Sequence, residues 1–194
     1  MRRDSTAIRS RRRCAATAVC AAGAALVGTL LTVRAAGLRV NDTASMPRGF
    51  WRVVAADAPL RRGEIVVVCP PDTVPIREGV VRGYIPAGAC PGGTAPLLKP
   101  VAAVAGDVVT VTTAGFAVDD RPVASCQPVA NCEPLLRDST GRALRAMPVG
   151  TYPVAPGTIW LLSGHDPRSF DSRYFGPVPA ANIQGVARPL WVLG

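Results

Sequence analysis

Three segments of the chain hold residues that could carry out covalent chemistry together. The first, Asn41 to Trp51 (NDTASMPRGFW), offers the Ser45 hydroxyl in a stretch punctuated by Pro and Gly. A serine hydroxyl is a weak nucleophile and needs a base to take its proton. The second, Pro96 to Val109 (PLLKPVAAVAGDVV), offers Lys99, the only lysine among 22 basic residues. Arginine stays protonated in proteins, whereas a lysine amine set among Leu97, Leu98, Val101 and Val104 is pushed toward the neutral form that can act as a base. The third, Ser163 to Val178 (SGHDPRSFDSRYFGPV), carries Ser169, Asp171, Arg173 and the single histidine, His165. His165 with Asp166 or Asp171 and Ser45 defines a competing arrangement, a Ser-His-Asp triad, because triads are recognised by geometry and not by chain order. Taken singly, each segment has a plainer reading. Ser45 can open a turn, Lys99 can be a solvated strand lysine, and His165-Asp166-Pro167 can be a surface turn.

The elements that must position these residues read as β-structure. Beyond Arg39 the chain consists of short apolar runs broken by Pro and Gly, of which the whole sequence has 19 each. Glu64 to Cys69, Val108 to Thr112, Phe116 to Val123, Thr158 to Ser163 and Ile183 to Leu193 are predicted strands, with Asp119-Asp120 in a hairpin connection. No stretch past Val33 sustains a helical period over ten residues, so the fold class is all-β. Residues from about 125 to 150 are poor in strand signal and read as a loop-rich excursion. With 48% hydrophobic and 18% charged residues, the chain has the composition of a folded domain and not of a disordered one.

The amino-terminal part differs from the rest. Cys14 to Val33 is 20 residues without a charge, about 30 Å as a helix, enough to cross one hydrocarbon core. It follows Arg2, Arg3, Arg9 and Arg11 to Arg13, a flank that holds the N-terminus in the cytoplasm and sends the remainder across. The expectation is a single-pass membrane anchor with the folded part on the far side. The alternative is a cleaved signal peptide, for which Ala35-Ala36-Gly37 beside Arg34 is a poor cleavage site. This segment also accounts for most of the net charge of +9, leaving 15 basic and 12 acidic residues after Arg34. A nucleic-acid partner is therefore not expected, since binding needs a basic stripe on the folded part.

Four cysteines, Cys69, Cys90, Cys126 and Cys132, lie past the anchor and suit two disulfides in an oxidising compartment. Three pairings exist, and loop closure favours Cys69 with Cys90 and Cys126 with Cys132. With no Cys-x-x-Cys and one His, neither a zinc site nor any other metal or cofactor is expected.

In this order, the three chemical segments resemble the type I signal peptidase family of Ser/Lys endopeptidases, and more closely its conjugation branch, the TraF-type pilin-maturation peptidases. The resemblance spans residues 41 to 191. It is carried by Ser45-Met46-Pro47-Arg48-Gly49-Phe50-Trp51, by Gly83-Tyr84-Ile85-Pro86-Ala87-Gly88-Ala89-Cys90, by Pro96-Leu97-Leu98-Lys99 with Gly106-Asp107, and by Ser169 to Val178. It implies a signal-peptidase-like antiparallel β-sheet domain with Ser45 as nucleophile and Lys99 as general base. Thr43 and the Ser45 N–H would form the oxyanion site, Ser169 would orient the lysine, and an Asp171/Arg173 pair would hold the loop. Asp171, in preference to Asp166, is the candidate for a third functional member.

The resemblance also implies an exported pilin precursor as substrate, cleaved beside small residues, with the cytoplasmic membrane and other conjugation-channel proteins as partners. Attack on the acyl-enzyme by water or by the pilin's own amino terminus would give a linear or a cyclic product. Two departures stand out: Pro100 follows Lys99 where the family commonly has Arg, and Ser163-Gly164-His165 replaces Gly-Asp-Asn.

The organisation expected is a basic cytoplasmic segment at 1–13, the anchor at 14–34 and a periplasmic peptidase domain at 35–194. The rivals are a general signal peptidase acting on many preproteins, a self-cleaving repressor, which would carry a DNA-binding domain in place of the anchor, and a non-catalytic anchored module of the transfer channel.

Overall fold

The computed structural model describes residues 19–29, 32, 36–56, 59–126 and 132–193. Contacts divide the chain into two units, Met1–Leu38 and Arg39–Gly194. In the first, residues 19–29 form a helix, α1, with exposed side chains. Among the described residues no helix is long and apolar enough to cross a membrane. The expected basic segment 1–13 and residues 14–18, 30, 31, 33 and 34 of the expected anchor lie outside the described residues.

The second unit is built on two antiparallel sheets. The larger contains β1 (Leu38–Asn41), β2 (Gly49–Val54), β3 (Ile65–Val68), β4 (Leu97–Ala103), β9 (Thr158–Leu161), β10 (Val178–Pro179) and β11 (Ile183–Val192), in the order β1-β2-β11-β3-β4-β9-β10. The smaller contains β5 (Val108–Thr112), β6 (Gly115–Val118), β7 (Arg121–Pro122) and β8 (Gly150–Pro153), in the order β7-β6-β5-β8. The run predicted over Phe116 to Val123, with Asp119-Asp120 as a hairpin connection, is a hairpin of β6 and β7 that folds at those two residues. Both aspartates take positive φ, 49° and 60°. A two-residue turn that matches the twist of a hairpin requires that conformation, and Asp adopts it at less cost than most residues.

Period-two alternation explains why β3 is apolar throughout. Val66 and Val68 enter a core with Ile76, Val101, Ile159 and Leu161, while Val67 points to the opposite face, against Met46, Trp51 and Ala187. A strand covered on both faces has no solvent side to keep polar. Each such residue contributes about 1.5–3 kcal/mol by burial. β4 continues past β3 into a third cluster, where Ala102 and Ala103 meet Trp160, Leu162 and the inward face of β5 and β6. Arg62 ties this junction down: its Nε donates to Asp107 (2.7 Å) and its Nη2 pairs with Asp107 and Asp119. Asp107 also accepts from the Val104 N–H (2.8 Å).

Two short helices interrupt the β-pattern. α2 (Val74–Val81) has eight residues, starts with Pro in its first turn and is followed by Gly83 at φ 77°. It is below the ten-residue period sought in the sequence and rich in valine. α3 (Ser172–Phe175) is one buried turn capped by the Asp171 side chain. The disulfides are Cys69–Cys90 (Cα–Cα 5.5 Å) and Cys126–Cys132 (5.2 Å), the pairing favoured by loop closure. Past Cys132 the excursion forms a single isolated bridge, Arg137 with Ala143, before β8. It is organised around Asp138, which accepts hydrogen bonds from Tyr84, Thr140 and Arg142.

Candidate active site

Ser45 sits in the turn between β1 and β2, and the side chain at the head of that turn shapes it. Asn41 is buried and shares its Nδ2 hydrogens among the carbonyls of Thr43 (3.0 Å), Met46 (2.9 Å) and Pro47 (3.0 Å). Its Oδ1 accepts from Thr43 N–H (3.3 Å) and Thr43 Oγ1 (2.7 Å). Below the turn, Trp51 Nε1 donates to the Pro47 carbonyl (3.1 Å), and Met46 and Trp51 are packed in the core. Ser45 is half-buried, and its Oγ lies 3.4 Å from Thr43 Oγ1.

Lys99 lies in β4, opposite Val66 of β3. Pro100 does not break the pairing. Val101 N–H donates to the Glu64 carbonyl (2.8 Å) and Leu162 N–H to the Pro100 carbonyl (3.2 Å), so β4 keeps a neighbour on each side. Lys99 is only 2% exposed. Its Nζ donates to Ser169 Oγ (2.6 Å), which donates to Asp171 Oδ2 (2.8 Å). Asp171 in turn accepts from Arg173 Nε (2.8 Å) and Nη2 (2.9 Å). Burial pushes the Lys99 amine down to about 8. Asp171 opposes that shift, Arg173 adds to it, and Asp166 again opposes it.

The loop carrying this chain of polar groups is short and internally saturated. Ser169 N–H donates to the Asp166 carbonyl (2.9 Å). Arg173 Nη2 also reaches the carbonyls of Ser163 (3.1 Å) and Ser169 (2.8 Å), and its Nη1 that of Pro167 (3.3 Å). Burial works against the Arg173 charge, but Asp171 outweighs it, so the guanidinium pKa stands above its ordinary value. Charge-assisted, bidentate pairing of this kind fixes geometry as well as energy.

Thr43, Ser45, Lys99 and Ser169 all line one cleft of about 470 Å³, walled by Leu98, Tyr84, Pro86 and Phe170. Ser45 Oγ and Lys99 Nζ do not hydrogen-bond each other, an arrangement common before a substrate tightens the site. Asp166, also on the cleft, pairs with Arg168 (3.3 Å). His165 is exposed and outside the cleft lining, and its ring makes no hydrogen bond to Ser45, Asp166 or Asp171. The triad arrangement is therefore not assembled. Among the described residues no cluster of His, Cys, Asp and Glu could hold a metal ion.

Two residues outside the sequence-derived candidates belong to this frame. Asn41 carries a recognisable signal, since Asn two residues before Thr can fold its side chain back on the backbone. Ser163, whose hydroxyl donates to the Ser45 carbonyl, carries none.

The chain is similar to known proteins along most of its length. The family model for signal peptidase, peptidase S26, matches residues 11–192. The "Probable conjugal transfer protein TraF" of Sinorhizobium fredii is 43% identical over 164 residues, covering 84% of this chain and 82% of that protein. The conjugal transfer protein TraF of Agrobacterium fabrum is 38% identical over 170 residues, 88% of this chain and 91% of its own. A plasmid transfer protein TraF of Escherichia coli is 35% identical over 156 residues, 80% and 83% of the two chains. A crystal structure of a signal peptidase I from Enterococcus faecalis aligns with 68% of this chain and 98% of its own, at 18% identity and a TM-score of 0.37. A family match across nearly the whole folded part, joined by relatives above 30% identity over most of their length, leads to one assignment: the chain belongs to the signal peptidase family, peptidase S26, among its TraF-type conjugal transfer members.

Proposed function

We propose that the protein is a membrane-anchored serine endopeptidase of a conjugative transfer system that matures, and cyclises, an exported pilin subunit at the outer face of the cytoplasmic membrane. The observation that carries this reading is Lys99, a buried residue whose amine is held toward neutrality and which lines the same cleft as Ser45. Family membership supports the peptidase activity, and the printed names of the relatives support the transfer system. The anchor rests on the uncharged run at 14–33 behind its arginine flank.

In the first step, Lys99 Nζ takes the Ser45 proton as Oγ attacks the scissile carbonyl. The oxyanion is received by the Ser45 N–H and by the Thr43 hydroxyl, whose proton turns from Asn41 Oδ1 to reach it, and a single donor of this type typically contributes about 3 kcal/mol to the transition state. Collapse breaks the C–N bond, and the tail departs as an amine carrying the proton from Lys99. In the second step, the pilin's own amino terminus attacks the Ser45 ester. Lys99 takes the amine proton and returns it to Ser45 Oγ, and a new peptide bond closes the ring. An intramolecular amine outcompetes water when well placed, because effective molarities reach roughly 10⁵ M or more.

Mass spectrometry of a co-expressed pilin precursor in membranes tests this reading. Wild type should yield a product one water lighter than the linear mature pilin, whereas Ser45→Ala and Lys99→Ala should leave the precursor intact. Loss of the tail alone would make the protein a plain endopeptidase. Unchanged processing in both variants would overturn the dyad.

The pH dependence has a defined sign. The active base is the neutral amine, so log kcat/KM should rise with unit slope through the acid side and level off above a midpoint near 8. At pH 7 about a tenth of the molecules would hold a neutral Lys99. A flat profile between pH 6 and 9 would contradict the assignment.

A further inference from the structure

The turn that carries Ser45 is held almost entirely by itself. Asn41, Thr43, Met46 and Pro47 bond within it, and Trp51 joins it from the strand that follows. The Lys99 side is equally self-contained, through Ser169, Asp171 and Arg173. One residue, Ser163, hydrogen-bonds to both polar systems, through its side chain to one and its backbone to the other. Ser163 Oγ donates to the Ser45 carbonyl and lies 3.6 Å from Met46 Sδ. The same residue donates its backbone N–H to Asp171 Oδ2 (3.1 Å) and accepts Arg173 Nη2 on its carbonyl (3.1 Å). Ser163 is 1% exposed, lies two residues past the end of β9, and so reports the position of one half of the dyad to the other.

We propose that Ser163 is a positioning residue that sets the register of the nucleophile against its base. Its hydroxyl fixes the peptide plane between Ser45 and Met46, which restricts the Ser45 backbone and with it the direction of Oγ toward Lys99. The backbone groups of Ser163 hold Asp171 and Arg173, and they remain in an alanine or threonine variant, so the hydroxyl can be removed without dismantling the loop. Displacements of about 1 Å at reacting groups can lower rates by about 10²-fold, so a lost register should be read in turnover more than in binding.

This inference rests on the Ser45/Lys99 dyad, and the test separates the two. The full-length chain in membranes is assayed on the pilin precursor as wild type, Ser163→Ala and Ser163→Thr, beside Ser45→Ala and Lys99→Ala. Ser163→Ala should lower kcat about tenfold with KM changed by less than about twofold, a misalignment smaller than the full 1 Å case. The pH midpoint should stay near 8 because nothing touching Lys99 has changed. Ser163→Thr, which keeps the hydroxyl, should restore most of the rate. Unaltered kcat in Ser163→Ala overturns the proposal. So does a shifted pH midpoint that threonine fails to correct, since that would place the effect on the lysine network. Processing that survives in Ser45→Ala or Lys99→Ala removes the dyad itself, and the role of Ser163 falls with it.

Discussion

A Lys99→Met protein should be inactive and yet no less stable than wild type at pH 7. Methionine keeps most of the volume of the side chain in β4 but has no amine to accept the Ser45 proton, and rates should fall by about 10³-fold or more. The stability expectation follows from proton linkage. The folded chain binds the Lys99 proton with a pKa of about 8, below the ordinary 10.5. Between those values the unfolded chain holds more protons, so stability rises with pH across the window. Below it the buried charge costs about 3 kcal/mol. Methionine removes that cost and forfeits the hydrogen bond to Ser169, worth about 1.5–3 kcal/mol for a charged donor. Thermal unfolding should therefore occur within a few degrees of wild type or above it. Full processing by Lys99→Met would remove the lysine from the mechanism, and a Tm many degrees lower would make it a structural residue.

The largest loss of stability is expected at Asp171. Its carboxylate is fully buried and receives Arg173, Ser169, the Ser163 N–H and the first turn of α3. Asp171→Ala leaves the Arg173 guanidinium, 1% exposed, without its anion, and breaking a buried pair from one side costs about 3–5 kcal/mol. For a chain of this size that is a fall in Tm of roughly 10 °C. Replacing both partners by leucine should recover part of the loss, because no unpaired charge then remains. If Asp171→Ala and the double variant unfold together at the wild-type temperature, the pair does not hold the loop.

Much of this arrangement could be read from residue types and spacing, and the part that could not has physical reasons. Five predicted strands correspond to β3, β5, the β6/β7 hairpin, β9 and β11, because Val, Ile and Trp runs between turn residues are a local signal. β1 and β2 were not separable from the Asn41–Trp51 motif, since Val and Phe there alternate with arginine and glycine over only a few residues. α2 escaped because its Val-rich sequence favours strands, and packing of Ile76 and Gly79 against Ile85 and Phe170 decides otherwise. Lys99 stood out as the one lysine in an apolar run. Ser163 did not, because a serine is ordinary at the end of a strand. Its partner, Ser45, is 118 residues away.

The place of β11 in the larger sheet bears on how the protein is made. β2, which begins just after Ser45, and β3, which pairs with the strand bearing Lys99, are not neighbours; β11 lies between them and pairs with both. The segments that carry Ser45 and Lys99 are thus translated early, while the strand that joins β2 to β3 in the sheet comes late in the chain. A nascent chain that has emerged as far as β9 carries Ser45 and Lys99 but lacks the strand that joins β2 to β3 in the sheet. Such distant pairing slows folding. A chain that stalls before β11 therefore lacks the strand that joins the sheet beside both segments.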